Sequence, residues 1–116
     1  MTVSGKYMDG ILDLLSPVEE AVSRAMFGGV GLLIDGLMLA IISGKDQFLF
    51  KVDALNQVDF EKAGSFAFRP GANKEITMSY YEVPIEVLEI QEVLVGWAWK
   101  ASLAGKRTVA KHSGRN

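Results

Sequence analysis

The sequence predicts an α+β domain, on three observations. Apolar residues recur at near-helical spacing at both ends of the chain. Alternating or continuous apolar runs, separated by glycine-rich turns, fill the middle. The 116 residues are 49% apolar, enough for one core. The expected order is a helix, a three-strand antiparallel meander, a short helix, two strands and a C-terminal helix.

Met8, Ile11, Leu12, Leu14 and Leu15, with Asp9 and Asp13 between them, mark a first helix over Ser4–Leu15. Pro17 argues for its end, because the residue before a proline is pushed out of the helical region. The alternative is a helix running on to Arg24, with Pro17 in a new first turn. Val22–Phe27 reads as extended, followed by a glycine kink or bulge and then Val30–Ile34. Asp35-Gly36 is a hairpin turn between two apolar runs. Leu37–Ile42 is apolar throughout, as in a strand covered on both faces. After a turn at residues 43–46, Gln47–Val52 places Phe48, Phe50 and Val52 on one face and Leu49 and Lys51 on the other.

Asp53–Asn56 reads as a turn. Asp59 is the expected cap of a short helix ended by Gly64, with Phe60 and Ala63 on one face. Phe66 and Phe68 mark a fourth strand, residues 70–73 a loop, and Ile76, Met78 and Tyr80 a fifth strand. Pro84 opens a short helical turn, and the last helix is expected over Gln91–Lys106. On that helix Ile90, Leu94, Trp97, Ala101 and Ala104 form one apolar stripe. Val95, Trp99 and Leu103 form another on roughly the opposite side. A helix packed once needs one stripe. The second points to a homodimer or partner interface at Val95, Trp99 and Leu103. The alternative is that the chain's own first helix, or a scattered surface apolar residue, accounts for it.

Fourteen acids against twelve bases give a net charge of −2, without the strong basic patch of an obvious nucleic-acid binder. The distribution is uneven. Residues 1–97 hold 7 bases and 14 acids, whereas residues 98–116 hold 5 bases and no acid. The basic end reads as cations at a helix C-terminus followed by a solvated tail over residues 109–116, leaving residues 1–108 as the domain. Direct contact with DNA through that end is the alternative. There is no cysteine and a single histidine, His112, so no thiolate or histidine-rich metal site is expected, and no cofactor. The longest apolar stretch, Ala25–Ile34, has ten residues and three glycines, while spanning a bilayer takes about 20. A soluble, cytoplasmic protein without a membrane partner is expected.

Six segments carry a resemblance. Arg24-Ala25-Met26-Phe27-Gly28-Gly29-Val30-Gly31 fits R-x-M-F-G-G-x-G, and Asp35-Gly36-Leu37-Met38-Leu39-Ala40 fits D-G-x-M-F-A with Leu39 for phenylalanine. Phe48-Leu49-Phe50-Lys51-Val52-Asp53 is similar to L-Y-L-K-V-D, and Phe60-Glu61-Lys62-Ala63-Gly64 to F-E-x-A-G. Met78-Ser79-Tyr80-Tyr81-Glu82-Val83-Pro84 fits M-S-Y-Y-E-V-P, and Trp97-Ala98 with Ala101 fits W-A-x-x-A. In order and together, over residues 8–106, these resemble the TfoX N-terminal-domain family. The resemblance implies an α+β fold akin to type III secretion chaperones, which are often dimeric. It also implies a link to bacterial transcriptional and competence regulation. The competence regulators of the family carry a second, C-terminal domain; this sequence resembles the stand-alone N-terminal-domain proteins.

The motif residues admit two readings. Met26, Phe27, Gly28 and Gly29 form either a binding loop, where glycine admits a close approach, or a bulge bending a long strand. They form neither a phosphate loop nor a dinucleotide fingerprint. Lys51, Tyr80 and Tyr81, with Glu82 and Arg24, form either a small-ligand or acid–base site or cross-strand packing. The leading expectation is a non-enzymatic module that contacts another protein through the sheet face or the last helix. Direct DNA contact, or a site near Lys51 and Tyr81, are the alternatives.

Overall fold

The structure, a computed structural model, describes residues 5–26, 29–43, 47–65 and 79–113; the side chains of Met26 and of residues 111–113 fall outside that set. Helix α1 (Gly5–Leu14) is amphipathic and buries Ile11, with Leu15 and Val18 following it into the core. It stops three residues before Pro17, and Val18 and Ala21 donate turn hydrogen bonds to the carbonyls of Leu15 and Val18. The alternative helix to Arg24 is not formed, because residues 22–26 are already a strand.

Five strands follow: β1 (Val22–Met26), β2 (Gly29–Ile34), β3 (Leu37–Ile42), β4 (Phe48–Lys51) and β5 (Tyr80–Glu82). They form one antiparallel sheet in the order β1-β2-β3-β4-β5. Between β4 and β5 lies α2 (Gln57–Lys62), and after β5 come α3 (Ile85–Leu88) and α4 (Gln91–Ser113). The expected strand at Phe66–Phe68 and the first part of the strand at Ile76–Tyr80 lie outside the described residues.

The predicted Asp35-Gly36 turn joins β2 to β3, with φ of 54° at Asp35 and 77° at Gly36, the left-handed pair that a two-residue hairpin of this twist requires. The glycine-rich segment behaves differently from the bent strand expected of it. Met26 pairs with Gly29 and Val22 with Leu33, so the chain reverses between β1 and β2 and makes a hairpin. The bulge sits elsewhere. Register slips between Leu32 and Leu33, which oppose Ala40 and Met38 and leave Leu39 as the extra residue on β3.

One face of the sheet carries α4. Leu32, Ala40, Ile42, Phe48, Phe50 and Tyr81 on the strands cluster with Leu94, Ala98 and Ala101 on the helix. The helix approaches closely because its buried face is small: Ala98, Ala101, Ser102, Ala104 and Gly105 are all buried. A Cβ added at Gly105 would sit 3.1 Å from the carbonyl oxygen of Met38. Phe60 of α2 closes the core edge, with ring centroids 4.7 Å from Trp97, 5.8 Å from Tyr81 and 6.4 Å from Phe50.

Three expected details change. Helix α2 is preceded by Asn56 and has no side-chain cap, so Asp59 lies inside its first turn. Ala63, expected to share Phe60's buried face, is exposed, although Gly64 does end the segment at φ 81°. The last helix continues past Lys106 to Ser113, so residues 109–113, read as tail, belong to α4.

Candidate interaction surface

The tyrosine–lysine group divides between the two faces of the sheet. Lys51 pairs with Tyr80, and its ammonium lies 5.3 Å from the Tyr80 ring centroid, a cation–π contact. Tyr81 pairs with Phe50 and points the other way, into the core against Phe60. Neighbouring residues on a strand face opposite sides, so Tyr81 does not join Lys51. Arg24 is exposed on β1, the far edge of the sheet from β5. Through Gly31, Ile41 and Leu49 it shares one cross-strand row with Glu82. Three strand spacings, about 14 Å, separate β1 from β4. Arg24, Lys51, Tyr80 and Tyr81 therefore do not converge on one site, and Lys51 with Tyr80 is cross-strand packing.

Burial pushes the Tyr80 hydroxyl up from its ordinary pKa, away from what a general base needs. Burial also lowers Lys51, against the opposing charge of Asp53. Two surface clefts lie elsewhere. One of about 480 Å³ runs between Tyr7, Ser65, Pro84 and Leu88, and one of about 280 Å³ borders Leu12, Val18 and Ser23. Lys51 lines neither. Among the described residues no cluster of three or more acidic or histidine groups is placed to hold a metal ion. No described helix is long and apolar enough to cross a membrane.

The glycine segment has a backbone explanation at Gly29. A Cβ there would lie 2.4 Å from the carbonyl oxygen of Ile42 and 3.2 Å from the Cα of Ser43. The close approach it permits is to β3 of its own sheet. Phe27, Gly28 and the Met26 side chain lie outside the described residues.

The basic C-terminal segment is drawn back onto the domain. Arg107 donates two hydrogen bonds to the Asp53 carboxylate, at 2.5 and 2.9 Å. Lys100 meets Asp59 at 3.0 Å, and Lys106 meets Asp35 at 4.0 Å with both side chains exposed. Asp53 is the hub of a turn. Its carboxylate also accepts the Leu55 N–H, and its own N–H donates to the Asn56 side chain at 2.7 Å. Buried Asn56 in turn donates to the Lys51 carbonyl at 3.0 Å. Sequence reasoning placed the turn and missed the ion pair, since its partners are 54 positions apart.

The Arg107 hydrogen bonds hold the Asp53 carboxyl below its ordinary pKa, against the opposing effect of burial. A folded-state pKa below the unfolded one gives stability that is full above about pH 3.9 and lost as pH falls through the lower folded value. Urea midpoints measured from pH 6 down to pH 2.5 should fall for the native chain and fall less for Asp53→Asn, which starts lower. Parallel curves would show that Asp53 is not a stabilising carboxylate.

Of the expected outer stripe of α4, two residues of three are exposed. Trp99 is 37% and Leu103 49% exposed, while Val95 is half-buried and packed on the core. The opposite stripe is buried at Leu94, Ala101 and Ala104 and half-buried at Trp97, but Ile90, expected in it, is exposed. No segment among the described residues buries Trp99 and Leu103, so the first helix does not cover them.

The model of the TfoX N-terminal domain family matches residues 13–104 of the 116-residue chain. The chain belongs to that family. No curated protein matches it. On this TfoX N-terminal domain the resembling segments become fold parts. Gly29 admits the β3 backbone, Asp53 clamps α4, Phe60 and Tyr81 fill the core, Gly64 ends α2, and Ala98 and Ala101 let α4 lie close to the sheet. Trp99 and Leu103 lie outside the core cluster and keep part of their surface open.

Proposed function

We propose that this protein is a non-catalytic regulatory module that works by binding another protein on the Val95–Trp99–Leu103 face of α4. Family membership supports the regulatory reading. The observation that carries the binding reading is a tryptophan and a leucine left open on adjacent turns of one helix face. The setting is cytoplasmic, and the process is transcriptional regulation, including competence in a bacterial host, with DNA contacted by a partner. The fate of the basic end favours this over direct DNA contact. Lys100 and Arg107 already pair with acids of the same chain.

Transcript profiling in the native host tests the reading. Overproduced native protein should change a set of transcripts, and Trp99→Glu at equal abundance and unchanged melting should lose that change. A fully active Trp99→Glu would reject the α4 face. Salt-dependent DNA binding that survives Trp99→Glu and is lost on removing residues 106–116 would favour the basic end instead.

A further inference from the structure

The exposed face of α4 has an order that a mere apolar patch lacks. At about 100° per residue, Glu92, Val95, Gly96, Trp99, Leu103 and Lys106 share one side of the helix. The order is palindromic about Trp99. Glu92 lies seven positions before it and Lys106 seven after; Val95 lies four before and Leu103 four after. Two such helices laid antiparallel around a two-fold axis at Trp99 bring Glu92 of each against Lys106 of the other. The same arrangement sets Val95 against Leu103. A surface of this kind is complementary to itself, the property an isologous dimer contact requires. The paired stretch, 92–106, spans about 21 Å of helix.

Among the described residues nothing holds the two end charges firmly. Lys106 has the exposed 4.0 Å contact with Asp35, and Glu92 is exposed.

From this we infer that the occupant of the α4 face is a second copy of this chain, paired antiparallel through Trp99 with reciprocal Glu92–Lys106 contacts. The inference rests on the reading of α4 as a binding face and names its partner. Light scattering and sedimentation of the native chain should show a dimer. Leu103 is half-exposed and outside the core cluster, so Leu103→Glu should keep the melting profile of a folded domain yet weaken dimerisation at least tenfold. Glu92→Lys or Lys106→Glu alone places like charges at both ends of the pair and should weaken it roughly tenfold at low salt, and the double reversal should restore it. Native-strength dimers in Leu103→Glu, or single reversals without effect, would overturn the pairing. A native chain that stays monomeric at high concentration would also overturn it. If Trp99→Glu still abolished the transcript response in that case, the binding face would stand with a different partner.

Discussion

Gly29→Val should destabilise the domain by about 3 kcal/mol or more, because the new side chain has no room that a neighbour can yield. The atoms it would strike are the Ile42 carbonyl oxygen, 2.4 Å from an ideal Cβ, and the Ser43 Cα at 3.2 Å. Both are backbone, and Val30 pairs with Ile42 one position along the same ladder. Relief requires β2 and β3 to part at that end. Gly29→Ala should show most of the same loss. Urea unfolding followed by far-UV circular dichroism reads the effect. An alanine variant with the native midpoint would mean that this approach of the strands is not a real constraint, and the binding-loop reading of Met26–Gly29 would regain its interest.

Phe60→Ala should cost about 3–5 kcal/mol, the range for truncating a buried aromatic residue. Phe60 is 1% exposed and touches three rings on three elements: Phe50 on β4, Tyr81 on β5 and Trp97 on α4. Its removal leaves a cavity where α2 is pinned to the sheet. Trp97 emission should shift to the red as its T-shaped neighbour disappears, and Trp97→Phe identifies which of the two indoles responds. A loss under 1 kcal/mol would show that α2 collapses into the space without penalty, contrary to the packing described.

Some of this architecture was written locally. Asp35-Gly36 specifies its turn through two positive φ angles, and the two-residue period of β4 puts Phe48, Phe50 and Val52 on the core face, with Leu49, buried as well, on the other. The division of Tyr80 from Tyr81 was legible too, since adjacent strand residues face opposite sides; grouping them as one site ignored that period. The β1–β2 hairpin was half-legible. Two apolar runs flank the glycines, but the same glycines also fit a bulge, and only the pairing of Met26 with Gly29 separates the two. Ala63 went wrong because the short helix ends within a residue of it.

The candidate surface was legible for the same reason as β4. Val95, Trp99 and Leu103 repeat every four residues, which any α-helix turns into a face. The sequence by itself thus determined the α+β class, the strand faces, the Asp35-Gly36 turn and the doubly apolar last helix. All of these follow from preferences acting within a few residues. Only the tertiary structure decided that Arg107 reaches Asp53, that Arg24 stands strands away from Lys51, that Gly29 lies on the Ile42 carbonyl, and which stripe of α4 is left outside. Those outcomes depend on which segments the assembled sheet makes neighbours. Residues 54 positions apart carry no local trace of that meeting.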